Sequence, residues 1–348
     1  MEKTFRAGLA SRVNICYLTF NSLWVDQEVN QCLTGEGGFH NTPMRSLLKL
    51  GGSLFLLLML LGCSRKDEEP LRVIYSGSVM GYLEPCGCSE GRVGGMARLA
   101  GAVRDSLKRW QGGALLLDAG NFAEMYSFRD DSKNRALLRA FKLMGYDAIN
   151  VAAQDLMAGL PALRWAADSL SLPLISANLR STDGKLIFPA WTLKKVGNRT
   201  VGVIGVGAVR PLNLRLAGIT SLTYSDPEEA IRKSVAEIES ESDFIFLLCD
   251  LGARSARQMS ITIPGIDVII SCMDLTPARE PRRFGAVCVL GTSRKGKRLT
   301  SLVLQRTWQD SLEVHFFSSL LDSTFADDPA AARLLEDYRN NVSRAGFR

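Results

Sequence analysis

The chain has 348 residues, of which 46% are hydrophobic and 22% are charged, so it can bury a full-sized globular core. This composition excludes disordered, collagen-like and small disulfide-rich proteins. The formal net charge of +6 is small for this length, and the basic residues are scattered rather than grouped with aromatics on one face, so nothing indicates nucleic-acid binding.

The first element along the chain is an export signal that begins at Met44. Arg45 and Lys49 form a basic start, and the apolar run 54–61 (LFLLLMLL) is shorter than the ~20 residues that span a bilayer. The following "LLGC", which ends at Cys63, and the polar run after it resemble the lipobox of a bacterial lipoprotein. This resemblance implies cleavage before Cys63 and acylation of its sulfur, which anchors a protein stably once two or more acyl chains are present. A signal anchor or a buried helix is the alternative interpretation.

Residues 1–43 precede this signal, although export signals normally start a chain. We expect Met44 to be the true start; the alternative is a cytoplasmic extension ahead of an uncleaved anchor. Cys16 and Cys32 fall in this segment and are excluded from the candidate sites. The expected division is a doubtful extension (1–43), a signal peptide (44–62), a tether (63–70) and one folded domain (71–348), held by lipid on a bacterial membrane and facing the periplasm or the exterior.

From Leu71 onward, short apolar runs of strand type alternate with longer runs of helical period, a pattern typical of α/β proteins. Asp226 as an N-cap residue and Pro227 behind it predict the start of one of the helices. The predicted strands cover 71–76, 114–120, 148–153, 172–179, 243–252, 266–274, 286–291, 299–305 and 312–317, with a hairpin over 190–206 and helices over 94–110, 134–146, 162–170, 226–240 and 329–341.

Several strings in this order, LLLDAG, MGYDAINVAAQDL, LISANL, VGVIGV, FLLCDLG and PGIDVIISCMD, resemble the 5′-nucleotidase family of calcineurin-like metallophosphoesterases, and GGMARLAG resembles the family's first helix. The resemblance covers residues 71–341. It implies a four-layer α/β/β/α sandwich of metallophosphoesterase type with two mixed sheets. It also implies a dinuclear metal site on loops at the strand ends and, for an enzyme, the hydrolysis of phosphoric esters.

The family's metal ligands lie in five motifs, and this chain departs from each of them. The third motif, Gly-Asn-His-Glu, reads Ala152, Ala153, Gln154 and Asp155, so both its ligand asparagine and its histidine are missing. The positions that the resemblance implies for metal binding are Ser78, Met80, Asn121, Ala153, Gln154, Asp250, Met273 and Leu275.

Hard divalent cations need carboxylates and imidazoles, and the chain contains only two histidines, His40 and His315. A conventional dinuclear centre is therefore not expected. Asn121, Asp155 and Asp250 remain as oxygen donors for one weakly held ion. On that alternative, Asp155 and Asp250 are the candidate catalytic residues of a metal-dependent phosphomonoesterase or 5′-nucleotidase-type hydrolase with an altered site.

Cysteines stand near the same strand ends. Cys86 and Cys88, in "LEPCGC", follow the first strand, and Cys249 and Cys272 each end a later strand. Because strand-end loops converge on one crevice in open α/β sheets, we expect these four thiols in one region. Cys288 lies inside a strand and is expected to be a buried small hydrophobe.

Three interpretations of these thiols stay open. Four sulfurs could bind zinc, copper(I) or an iron–sulfur cluster, or the thiols could exchange disulfides in an oxidising compartment. Alternatively, Cys249 and Cys272 are core residues and the pair Cys86 and Cys88 is structural. We favour a cysteine-based metal or thiol site centred on Cys86 and Cys88, with a soft metal or no cofactor; a non-catalytic binding module is a further alternative. The membrane, through the lipid anchor, is the one predicted partner.

Overall fold

The computed structural model describes residues 69–87, 92–111, 113–124, 132–216, 218–273, 280–307 and 311–344. Residues 67–348 form one compact unit. The predicted signal peptide, residues 1–43 and most of the tether lie outside the described residues. Within the described ranges, no helix is both long and apolar enough to cross a membrane.

Helices and strands alternate along most of the domain, as the sequence predicts. The strands are β1 (Leu71–Ser76), β2 (Leu115–Asp118), β3 (Ala148–Asn150), β4 (Leu174–Ile175), β5 (Leu179–Ser181), β6 (Trp191–Val196), β7 (Arg199–Val206), β8 (Leu222–Tyr224), β9 (Phe244–Cys249), β10 (Val268–Ser271), β11 (Arg282–Phe284), β12 (Val287–Gly291), β13 (Arg298–Arg306) and β14 (Leu312–Leu320). The helices are α1 (Met96–Arg109), α2 (Ser132–Met144), α3 (Leu160–Asp168), α4 (Pro211–Leu216), α5 (Pro227–Ile238), α6 (Ala253–Thr262) and α7 (Pro329–Arg344).

Two six-stranded mixed sheets form the centre of the domain. The first has the strand order β14-β13-β1-β2-β3-β4, in which β1 to β4 run parallel and β13 and β14 are antiparallel additions. The second has the order β11-β12-β10-β9-β7-β6, with a parallel centre and an antiparallel strand at each edge. The sheets are therefore mixed, as expected.

Three hydrophobic cores follow from the alternation of side chains along the strands. Val73 and Tyr75 face the space between the two sheets, whereas Ile74 between them packs with α1 and α2. In β9, Phe246 faces the inter-sheet core and Leu247 faces the layer of α5 and α6. Helices thus cover the outer face of each sheet, which confirms the four-layer α/β/β/α sandwich.

The carboxyl ends of the central strands of both sheets meet at one edge of the sandwich. The side-chain amide of Asn150, at the end of β3, donates hydrogen bonds to the carbonyl oxygens of Ala119 (3.0 Å) and Val206 (3.2 Å). These carbonyls lie behind β2 in the first sheet and at the end of β7 in the second. Asn150 therefore ties the two sheets together beneath the loops that form the candidate site.

The structure differs from the sequence prediction at several element boundaries. The predicted strand 148–153 ends at Asn150, because the next residues turn so that the Ala152 N–H donates to the carboxylate of Asp155 and the Ala153 N–H donates to that of Asp250. The predicted run 172–179 is divided between two short strands of different sheets. Helices α4 and α6 were not predicted. The N-cap of α5 is confirmed, since the Asp226 carboxylate accepts a hydrogen bond from the Glu229 N–H at 2.9 Å.

Candidate functional site

The loops that follow β1 and β2 in the chain run side by side at this edge. The N–H groups of Ser78, Met80 and Gly81 donate to the carbonyl oxygens of Gly120, Asn121 and Phe122 at 2.8, 3.1 and 2.7 Å. Ser78, Met80 and Asn121 all have left-handed backbones, with φ of 54°, 55° and 60°. Such conformations cost ~1–2 kcal/mol for residues with a side chain. Local strain is therefore concentrated at three positions that the family resemblance implies as metal ligands.

Ser78 is the centre of a closed hydrogen-bonded cluster that occupies these positions. Its hydroxyl donates to the carbonyl oxygen of Cys272 at 2.5 Å and accepts from Thr292 Oγ1 (3.2 Å) and Asn121 Nδ2 (3.4 Å). Asn121 Nδ2 also lies 3.9 Å from Met273 Sδ. The Ser78 hydroxyl thus has one acceptor and two donors within the protein, which uses its full hydrogen-bonding capacity.

Asp155 binds the backbone of the neighbouring loop. Its Oδ1 accepts from the N–H groups of Phe122 (2.7 Å) and Ala123 (2.9 Å), and its Oδ2 accepts from those of Asn121 and Ala152, both at 2.9 Å. The side chain is fully buried. Burial raises the pKa of Asp155 to about 8, although the backbone hydrogen bonds act in the opposite direction. Both oxygens are committed to the protein.

Asp250 plays a similar part between two other loops. Its Oδ2 accepts from the Ala153 N–H at 3.0 Å and its Oδ1 accepts from the Ala208 N–H, which joins the loops behind β3 and β7. Burial raises the pKa of Asp250, and the backbone bonds and the charge of Arg210 oppose that shift. Each oxygen of Asp250 thus accepts one backbone N–H group, whereas each oxygen of Asp155 accepts two.

A third buried carboxylate, Asp118, forms a separate network. It accepts from the Ser76 hydroxyl at 2.6 Å and from the Gly120 N–H at 2.8 Å, and the Ser76 hydroxyl lies 2.6 Å from that of Tyr146. Desolvation raises the pKa of Asp118 to about 6. This network connects the ends of β1 and β2 to the start of β3.

Two buried polar atoms lie near the loop that follows β3, one from Gln154, an implied ligand position, and one from Tyr224, which the sequence did not identify. Gln154 Nε2 and the hydroxyl of Tyr224 are buried and have no hydrogen-bond partner among the described residues. Burial raises the pKa of Tyr224, and the nearby carboxylates of Asp250 and Asp155 add to the shift. Asn213 of α4 closes this region by donating to the Ala153 carbonyl oxygen at 2.9 Å. No sequence pattern placed Tyr224 here, because its strand β8 lies outside the two main sheets.

The structure does not bring Cys249 and Cys272 together as ligands. In the parallel pairing of β9 and β10, Cys249 lies opposite Ser271, so the next residue, Cys272, points to the other face of the sheet. Cys249 accordingly belongs to the helix-side core and Cys272 to the inter-sheet core. Desolvation raises the pKa of Cys249 to about 12 and that of Cys272 well above its ordinary value, so both are neutral thiols.

Cys86 lies in the loop between β1 and α1. Its N–H donates to the Val93 carbonyl oxygen at 2.9 Å, and the Val93 N–H returns to the Cys86 carbonyl oxygen at 3.4 Å. This bridge closes the loop that contains Gly87 and Cys88, and 9% of the Cys86 surface remains exposed. Cys88 and Leu275 lie outside the described residues. Cys288 is fully buried in the inter-sheet core, where desolvation raises its pKa to about 11.

The described part of the chain contains no group of three or more histidine, cysteine, aspartate or glutamate side chains that could hold a metal ion. The donors that remain do not fit the dinuclear centre that the family resemblance implies. Of the eight implied positions, Asp250 alone carries a carboxylate, and backbone N–H groups occupy both of its oxygens. A four-sulfur site that includes both Cys249 and Cys272 is likewise not assembled by the described residues.

Comparison with known proteins places this geometry in context. No protein-family model matches the chain. The snake venom 5′-nucleotidase of Gloydius brevicauda is 25% identical over 253 residues, which cover 68% of this chain and 42% of that protein.

Solved structures agree with the fold. A 5′-nucleotidase precursor from Thermus thermophilus superposes with a TM-score of 0.68 and 20% identity, covering 80% of this chain and 60% of that one. The sulfate thiohydrolase SoxB of Thermus thermophilus gives a TM-score of 0.69 at 18% identity, covering 80% and 61%. The calcineurin-like phosphoesterase YfkN of Bacillus subtilis gives 0.63 at 16%, covering 78% and 97%. The chain spans less than two thirds of the length of the nucleotidases and of SoxB.

Proposed function

Because the chain belongs to the 5′-nucleotidase family of calcineurin-like metallophosphoesterases, we propose that it is a lipid-anchored cell-envelope protein that has kept the family's scaffold without its metal chemistry. Its working groups are the thiols of Cys86 and Cys88, which exchange disulfides with a partner on the outer side of the membrane. Cys63 carries the anchor.

The main support for lost metal chemistry is the closed cluster around Ser78. Ser78 and Asn121, at two positions where the family resemblance implies metal ligands, are uncharged and hydrogen-bond each other, and Thr292 donates to Ser78 as well. The alternative of a single ion held by Asn121, Asp155 and Asp250 gains no support, because the oxygens of both aspartates already accept backbone N–H groups.

The choice of thiol exchange over a soft-metal site has a geometric basis. Cys249 and Cys272 face different cores, so a site at Cys86 and Cys88 lacks the two further thiolates that the sequence suggested for it. A bridge to Val93 fixes the backbone of Cys86, and Gly87 stands between the two cysteines with open space around its Cα. An exported protein also works in a compartment where exposed cysteine pairs are oxidised and reduced.

The reaction follows ordinary disulfide chemistry. One thiolate of the pair attacks a partner disulfide and displaces a partner thiolate, and the second thiolate then resolves the mixed disulfide. Two electrons and two protons pass from the cysteine pair to the partner, and Cys86 and Cys88 end as a disulfide. The reverse sequence oxidises a partner dithiol.

Metal analysis and a phosphatase assay test the first half of this proposal. The purified full chain should contain no stoichiometric manganese, zinc, copper or iron, and it should hydrolyse a phosphate monoester no faster with added Mn²⁺ than without it. Rapid hydrolysis in Mn²⁺ that is lost in Asp250→Asn would contradict it. A stoichiometric soft metal lost in Cys86→Ser would favour the metal-site alternative.

Disulfide trapping tests the second half. After incubation with oxidised glutathione, peptide mapping should find a Cys86–Cys88 disulfide in the native chain. Cys88→Ser should instead trap glutathione on Cys86, whereas Cys288→Ser, which alters a buried thiol, should behave like the native chain. A native chain whose Cys86 and Cys88 stay reduced at the potential of an oxidising compartment would refute thiol exchange.

A further inference from the structure

A second concave site lies on the helix layer of the first sheet, away from the strand-end loops. Helices α2 and α7 pack against each other there, and their outer surfaces enclose a groove with a volume of about 820 Å³. Cavities of ~300–1,000 Å³ are typical of small-molecule sites. Leu143, Leu334 and Val342 supply apolar walls, and Arg139 and Arg333 line the same groove.

We propose that this groove binds a small free amphiphile, a molecule with one apolar chain and one anionic head group. The site is independent of the thiol loop and of the proposed function, because none of its residues belongs to the loops at the strand ends. The apolar chain lies along the walls that α2 and α7 provide. The anionic head lies against the arginines.

The described residues cover the apolar side of the groove only in part. Leu143 of α2 is 50% exposed, although it stands beside the groove rather than on an isolated stretch of surface. Leu334 and Tyr338 of α7 are only partly buried, and both pack on the helix-side core of the first sheet. A half-exposed leucine beside two partly buried apolar side chains gives an alkyl chain a surface to cover, and covering it is favourable.

Among the described residues, Arg139 and Arg333 line the groove together with one acid, Asp337. The guanidinium carbons of Arg135 and Arg139 lie 4.7 and 5.5 Å from the centre of the Trp165 ring. This cation–π contact restricts both side chains before any ligand arrives, which lowers the entropic cost of binding an anion.

The shape and size of the groove favour a free small molecule over larger partners. A bilayer surface is flat and cannot fill a concave groove between two helices. A specific protein partner buries ~800 Å² on each side and needs large apolar anchors, whereas Leu143 is the one large apolar side chain of this groove that is mostly accessible among the described residues. A single alkyl chain with an acidic head matches both the walls and the charge.

Titration of the full chain with dodecanoate below its micelle concentration tests the proposal. We expect saturable binding of one dodecanoate, and weaker or undetectable binding of dodecyltrimethylammonium, which has the same chain and the opposite charge. The double variant Arg139→Glu, Arg333→Glu should weaken dodecanoate binding about ten- to hundredfold, because charged hydrogen-bond partners are lost and repulsive ones are introduced. Leu143→Asp should weaken it as well.

Arg254→Glu is the control for charge reversal outside the groove, because it reverses one exposed charge on α6, on the other helix layer, and each groove arginine is also reversed singly for comparison with it. All variants share the same apolar N-terminal segment, so adsorption to that segment cancels in the comparison. Unchanged thermal unfolding of the groove variants establishes that a loss of binding is not a loss of fold.

Each other outcome would overturn the proposal. Equal binding of the cationic and anionic chains, or equal binding by the double variant and the control, would reduce the effect to unspecific apolar adsorption. Arginine-dependent binding to phosphatidylglycerol vesicles, with no binding of free dodecanoate, would assign the groove to a membrane surface. The absence of dodecanoate binding up to its solubility limit would leave the groove without this ligand class.

Discussion

Replacement of Asp155 by asparagine is a small change in shape with a large expected cost. The native carboxylate accepts two backbone N–H groups on each oxygen, from Phe122 and Ala123 on one and from Asn121 and Ala152 on the other. Asparagine keeps one oxygen and turns the second into an NH₂ group. Whether the native carboxyl is protonated or ionised, each of its oxygens has lone pairs that accept, whereas an amide nitrogen cannot accept.

The magnitude follows from counting the donors that lose a partner. In the best orientation of the new amide, two of the four N–H groups point at an NH₂ group in a fully buried site. A buried donor without a partner costs ~1–3 kcal/mol, so Asp155→Asn should lower the free energy of unfolding by ~2–6 kcal/mol. A domain has ~5–15 kcal/mol in total, so the variant should unfold at a clearly lower urea concentration or fail to accumulate.

The same substitution at Asp118 is the control. There, one carboxylate oxygen accepts from Gly120 and the other from the Ser76 hydroxyl, which is also 2.6 Å from the hydroxyl of Tyr146. An asparagine can keep the first bond and donate to Ser76, whose proton then turns to Tyr146. We expect Asp118→Asn to change stability by only about 1 kcal/mol.

Urea unfolding of both variants at one pH, followed by tryptophan fluorescence, makes the comparison. If Asp155→Asn were as stable as the native chain, the four backbone hydrogen bonds would not be the role of this residue. The reverse ranking of the two variants would refute the reasoning altogether. Loss of a phosphatase activity with full stability would instead support the metal-dependent alternative.

Three further predictions concern the same domain. Burial raises the pKa of Asp118 to about 6, so the folded chain keeps a proton that the unfolded chain releases. The free energy of unfolding should therefore fall as pH rises from about 4 to about 7. Urea titrations at several pH values should show that this free energy depends less on pH in Asp118→Asn. Gly101→Ala should lower the thermal midpoint although alanine favours helices, because its Cβ would overlap the carbonyl oxygen of Ala326; Lys108→Ala on the exposed face of the same helix should be nearly neutral. Asn178→Asp should lower the free energy of unfolding by roughly 2 kcal/mol, measured in the same thermal scans. The Asn178 amide donates to the carbonyl oxygen of Gly207 and accepts from the Gly207 N–H, and a carboxylate would place an acceptor against that carbonyl oxygen.

The layered fold was readable from the sequence for a physical reason. Strands covered on both faces are continuous apolar runs, such as the one in β9, and helices between them carry one apolar stripe, so the two periods separate cleanly. Helix α1 was predicted over 94–110 and is observed over Met96–Arg109. Helix α6 was not predicted from the sequence. Its buried residues are only Ala256, Met259 and Ser260, which are too few to give a recognisable apolar stripe of helical period.

The candidate site was harder to predict from the sequence, because it depends on the direction in which each side chain points and not only on its position along the chain. The sequence placed Cys249 and Cys272 at the ends of two strands, which is where they lie. A run that is apolar on both faces gives no indication of which residue faces which core, however. That Cys249 pairs with Ser271, one residue before Cys272, follows only from the register of β9 and β10. The sequence likewise gives no indication that the carboxylate of Asp155 accepts four backbone N–H groups, because those contacts depend on the path of two loops.

The charge balance at the eight implied ligand positions agrees with the proposal that this chain has lost the family's metal chemistry. A dinuclear centre gathers several carboxylates and imidazoles whose mutual repulsion and desolvation the cations offset. In this chain, seven of the eight implied ligand positions carry uncharged residues, and the eighth, Asp250, is compensated by two backbone N–H groups. No unbalanced negative charge remains at these positions that would require a cation. Restoring a single ligand, as in Asn121→Asp, would bury a carboxylate against Met273 and close to Asp155, which accepts a hydrogen bond from the backbone N–H of the same residue. We therefore expect this variant to unfold at a lower urea concentration than the native chain rather than to recover a metal site.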